Sequence, residues 1–251
     1  MTATPLNTPP ADDIQRAGVP WIVRDLRMLA AAATAGLVVG FVVNGWGSRL
    51  AMMLLARLNP DATGRISDDG FRIGQFGLGD TLSLVLFATA VGVLGGLVFL
   101  AVRGLRFRPP WFRVVSMTVG PAVVVGAMLV HTDGVDFRIL RPVWLAIALF
   151  VALPALYAYA VMRIADRWLR EDSWFLRGGR GWWIGLAPLV LAAPALPLLA
   201  VGAMARITYQ SAPTVRRLLP PRVATTAARL ALVGVFLVAA GDLLRDSVVL
   251  L

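Results

Sequence analysis

The chain contains no cysteine, no lysine and a single histidine, and only 15% of its residues are charged. Without cysteine, disulfides, thiolate metal sites and cysteine nucleophiles are all excluded. Without lysine, all 24 basic residues are arginine. No feature of a fold demands one basic type, so we take this as the codon bias of a GC-rich bacterial genome. A soluble domain is nearer a quarter charged and half apolar. Nucleophile elbows, Walker loops and kinase signatures are also missing. GxxGxG at Gly74, Gly77 and Gly79 precedes an apolar run, with no strand–helix unit after it, and is not a dinucleotide fingerprint.

What is present is apolar. Hydrophobic residues make up 58% of the 251, and the mean hydropathy is +0.75. They fall in runs of about 20 residues, the length a helix needs to cross the hydrocarbon core. The formal net charge is +10. In a membrane chain such a charge is explained first by cytoplasmic loops and anionic headgroups, with nucleic acid a poor second.

The pattern predicts an all-α fold: a polytopic integral membrane helical bundle of about six transmembrane helices with a small extracytoplasmic hairpin. Residues 1–23, with Pro5, Pro9 and Pro10, read as a disordered cytoplasmic tail, and 24–251 as one membrane domain. The spans are expected at about 28–46, 81–102, 114–130, 142–162, 182–204 and 230–251, with an elaborated loop at 47–80. Gly36 with Gly40, and Gly92 with Gly96, put small residues on one helix face for close packing. Ser48–Leu58 resumes helical character after Asn44, Gly45 and Gly47. It either lies along the membrane surface or extends the first span as a long bent helix, and Asn59-Pro60 stops it. Ser67-Asp68-Asp69-Gly70 supplies turn chemistry for the hairpin. RIADRWLRE, from Arg163, reads as an interfacial helix. Pro188, Pro194 and Pro197 kink or break the fifth segment.

With six spans, the tail and the loops at Arg103 and Arg163 share one side, with twelve Arg against six acids; the other side has six of each. This asymmetry puts the amino terminus in the cytoplasm of a bacterial inner-membrane protein. The segment Arg206–Arg229, with five Arg and no acid, breaks the pattern. Either it hugs the membrane, or the fifth segment is re-entrant and returns to the cytoplasm.

Three constellations are candidates for function. Asp68, Asp69, His131, Asp133 and Asp136 are expected on one extracytoplasmic side, where an imidazole and carboxylates would suit a divalent cation and activated water. HTDGVD is not HExxH, and SDDG lacks the ligand spacing of an EF-hand, so no metal or cofactor is assigned. Turn chemistry alone also accounts for Asp and Gly there. Asp242, Arg245 and Asp246 share a helix face. They mark either an intramembrane ion path or an amphipathic tail following a span that ends near Gly241. Asn44 and Arg49 would face the bundle interior of a bent first helix, where an Arg fork suits a carboxylate or a lipid phosphate; Arg49 could there meet Asp68, Asp69 or Asp242.

The run SRLAMMLLARLNPDATGRISDDGFRIGQF, with HTDGVDF after it, resembles uncharacterised multi-pass membrane proteins of high-GC actinobacteria, from the first span through the fourth. The resemblance implies that the elaborated loop belongs with the membrane scaffold, and it brings no activity. The favoured reading is a non-enzymatic membrane component engaging the bilayer and a partner protein or anionic lipid. The alternatives are a small transporter using Asp242 and Arg245, and a metal-assisted hydrolase using His131.

Overall fold

The computed structural model describes residues 21–251 except 69, 71, 76, 106–108, 196, 198–199, 203, 205–207 and 209–219. Helix α1 (Trp21–Val39) runs into a π-helical segment (Gly40–Gly47) and on into α2 (Ser48–Leu58). The expected break at 46 is absent, and the long bent helix is the alternative that forms. Asn44, Gly45 and Gly47 are poor helix formers. They widen the turn without ending it, and the Ser48 N–H donates to the Asn44 and Gly45 carbonyls. The apolar run Ile22–Leu58 is 37 residues, about 55 Å at 1.5 Å per residue. It therefore outreaches a hydrocarbon core of about 30 Å.

The loop that follows is shorter than 47–80, because residues 48–58 are helical. Asn59 ends α2 with its own side chain: Nδ2 donates to the Leu55 carbonyl at 2.8 Å and to the Arg141 carbonyl at 2.7 Å. The Arg141 N–H donates back to Oδ1 at 2.8 Å. The expected hairpin shrinks to one antiparallel bridge, Ile66 with Arg72, and the described residues contain no strand. Gly64, Gly70 and Gly74 have φ of 85°, 81° and 69°. Turns this close together leave no room for a ladder.

Next come α3 (Leu78–Arg103), α4 (Pro110–Leu129), α5 (Val135–Ile139), α6 (Val143–Trp168) and α7 (Trp174–Arg177). A 3₁₀ helix (Trp182–Ala195) and α8 (Pro221–Leu250) complete the described elements. Helix α6 absorbs most of the segment expected to lie on the surface. Helix α8 starts at Pro221 rather than 230 and runs past Gly241. Among the described residues five helices are long and apolar enough to cross a membrane, and the Trp182 segment is shorter. The protein is an all-α bundle with the architecture of a membrane protein.

Helices α1 and α3 pack through glycine. A Cβ on Gly40 would sit 2.7 Å from the Gly92 Cα, and one on Gly92 would sit 2.7 Å from the Gly36 carbonyl oxygen. Only bare backbones approach this closely. Ala30, Ala31, Ala35, Phe99, Val161 and Met162 fill the space between α1, α3 and α6.

The bundle has two unlike ends. At one, Asp166 on α6 receives Arg103 at 3.1 Å and both of its oxygens receive Arg113, at 2.7 and 2.6 Å. Arg27 donates to the Leu176 carbonyl at 2.9 Å and lies over the Trp182 ring. At the other end Leu55, Ile73, Val130, Phe137, Leu140 and Val143 form a compact core under the loops. Helix α8 links the two: Arg229 donates to the Leu105 carbonyl at the arginine-rich end, and Leu250 packs on the loop-end core.

Candidate functional site at the loop end

Arg49 lies 22 residues along the continuous helix from Arg27, about 33 Å at helical rise. If the Arg27 end marks one edge of a hydrocarbon core of about 30 Å, Arg49 stands at the opposite edge. It is only 2% exposed. The π segment precedes it, and its guanidinium donates to the Gln75 carbonyl. A buried charge must be hydrogen-bonded to persist, so Arg49 ties the loop to the helix that leads into it.

Arg49 and Arg72 line one cleft, walled by Met52, Leu55, Leu84 and Phe150, with no carboxylate among its described lining residues. Arg72 is exposed, held in place by the bridge to Ile66. It has no ion-pair or hydrogen-bond partner among the described residues. The cleft therefore offers an apolar wall, the exposed Arg72 guanidinium and, behind it, the buried Arg49. Asn44 is half-buried in the π segment, one turn before Arg49.

The second constellation is brought partly together. Asp68 Oδ2 accepts the Asp136 N–H at 3.1 Å. A Cβ on Gly134 would lie 2.6 Å from that same oxygen and 3.3 Å from His131 Nε2. Asp136 is 3% exposed, whereas Asp133 is exposed. Asp69 lies outside the described residues. Among those described, no three His, Cys, Asp or Glu side chains converge as a metal-holding group. The arrangement stitches the hairpin turn to the α4–α6 connection.

Asp242, Arg245 and Asp246 lie on one uninterrupted helix, which runs on past Gly241. Asp242 and Arg245 are exposed and Asp246 is half-buried. None has an ion-pair partner among the described residues, so Asp242 does not meet Arg49.

Sequence reasoning missed Asp166, Gln75, Arg72 and the tie of Asn59 to Arg141. For Asp166 a signal existed: Arg103 and Arg113 flank a connection without acids and call for a partner elsewhere. For Gln75 there was none, because only its backbone carbonyl is used. Comparison with protein-family models, curated proteins and solved structures finds no match.

Proposed function

We propose that this chain is a non-enzymatic multi-pass membrane component that binds an anionic lipid at its loop end. The carrying observation is the cleft in which Arg49 and Arg72 stand against apolar walls with no carboxylate among the described lining residues. A guanidinium donates from its planar fork to a lipid phosphate, and an acyl chain suits Met52 and Phe150 on the cleft wall. The depth of Arg49 matches a headgroup rather than a mid-membrane substrate.

The location that goes with this reading is a bacterial inner membrane, with the amino terminus and the arginine-rich end in the cytoplasm. Starting α8 from the Arg103 end moves Arg222 and Arg229 to that side, which takes two of the five Arg out of the exception to the charge asymmetry. No observation favours a transport path, since Asp242 and Arg245 are turned outward. None favours hydrolysis, since Asp68 and Asp136 are engaged in holding the turn.

The test is a thermal melt of the purified protein in neutral detergent with added phosphatidylglycerol or phosphatidylcholine. A lipid bound by the folded state alone raises the melting temperature. Phosphatidylglycerol should raise it, phosphatidylcholine should not, and Arg72→Gln should weaken the effective affinity about tenfold, the loss of one charge-assisted contact. Equal responses to both lipids, or an unchanged response in Arg72→Gln, would overturn the proposal. Inorganic phosphate reproducing the full gain would assign the cleft to a free anion instead of a lipid.

A further inference from the structure

The structure assigns the outer face of α8 to a second copy of this chain, docked with the two α8 helices parallel. This rests on α8 alone and is independent of the lipid cleft. One stripe of the helix is turned to the bundle, where Leu243 and Leu250 pack and Ala239 is buried. The opposite stripe is open: Val238 is 67% exposed and Val248 is 74% exposed.

Two features of the open stripe are unlike a surface built only for lipid. The first is glycine. Gly234 and Gly241 are seven apart, with Val238 between them, so they fall on one seam. A Cβ added at either meets nothing within 4 Å. The glycines between α1 and α3 are required by backbones inside this chain, whereas these two meet nothing among the described residues. Small residues on a membrane helix allow another helix to approach.

The second is charge. Asp242 lies 13 residues beyond Arg229, about 20 Å along the helix. Arg229 sits at the arginine-rich end, so Asp242 falls within a hydrocarbon core of about 30 Å. A carboxylate there is costly unless it is paired or wetted. Arg245 is one turn further on and opposite in sign, yet the two form no ion pair within the chain. The face is thus self-complementary. Copies inserted the same way into one membrane are related by a two-fold axis along its normal, so equal residues meet at equal height. Arg245 then needs to reach only about 4.5 Å along the axis to meet Asp242 of the second copy, and the contact is made twice.

The absence of cysteine makes a crosslinking test direct. Gly234→Cys on the open stripe and Ala239→Cys on the bundle stripe are each oxidised in membranes and run on non-reducing gels. A covalent dimer from Gly234→Cys and none from Ala239→Cys is expected. The charges are tested in the Gly234→Cys background, with detergent melting curves confirming that each variant folds. Asp242→Arg and Arg245→Asp should each weaken dimerisation about tenfold, and the double exchange should restore it. A chain that stays monomeric in membranes overturns the inference. So does crosslinking through both stripes alike, single exchanges without effect, or a double exchange that fails to rescue. Co-purification of a different membrane protein on this face, with no self-association, overturns it too.

Discussion

Arg229, about two turns into α8, donates to the carbonyl of Leu105, just beyond the end of α3. This one contact fixes the direction of the last helix. Trp182 is held at the same end by Arg27. The chain therefore enters the Trp182 segment and leaves into α8 from the same end. Single cysteines at Arg222 and Thr132 should therefore react with an impermeant thiol reagent from opposite sides of the membrane. Labelling of both from one side would require six full spans.

The glycine contact between α1 and α3 gives a stability prediction. Gly92→Leu would drive a branched side chain into the backbone at Gly36 and Gly40. Neither helix can yield locally, so overpacking should cost about 3 kcal/mol or more. Gly234→Leu, with open space around it, should leave the melting curve of the monomer in detergent unchanged. If both variants melt alike, the close approach is not what orders this pair.

Asp166 joins three helices by accepting from Arg103 and Arg113, with about a third or less of each side chain exposed. Asp166→Asn keeps the shape, removes the charge and leaves two guanidinium groups facing each other. We expect a loss of about 1–3 kcal/mol, partly recovered at high salt, where like charges are screened. Glu171 is paired to Arg24 at 3.4 Å on the open surface, and Glu171→Gln should be neutral in the same melt. A neutral Asp166→Asn would remove the network from the account of stability.

The bundle was legible because its signal is additive: long apolar runs, glycine pairs and proline-led starts each point to helix. The two glycine pairs mark faces for close packing, and it is the structure that brings these two faces together. The stop at Asn59-Pro60 was legible too, but other helix ends were not. Asn44, Gly45 and Gly47 read as a break because propensity is local. The widened turn instead carries the helix through, between packed neighbours such as Val85 against Gly45. The direction of α8 could not be read at all, because Arg229 makes its contact 124 positions away in sequence. For the loop end, the meeting of Asp68 with the His131–Asp136 turn followed from topology. Its use did not, because a carboxylate accepting a backbone N–H and one holding a metal have the same letters.

That difference in use can be measured. If Asp68 serves to cap the Asp136 N–H, Asp68→Ala leaves that buried donor unsatisfied and should cost about 1–3 kcal/mol. Asp68→Asn keeps an acceptor oxygen of the same reach and should recover most of the loss. Chelation of divalent metal should leave the parent melting temperature where it was. A metal site would give the opposite pattern: sensitivity to chelator in the parent, and a loss in Asp68→Asn as deep as in Asp68→Ala, since a neutral amide is a poor substitute for a carboxylate on a hard cation. The two patterns share no outcome, so one set of melts, with and without chelator, decides between a turn stitched by hydrogen bonds and a turn built around a cation.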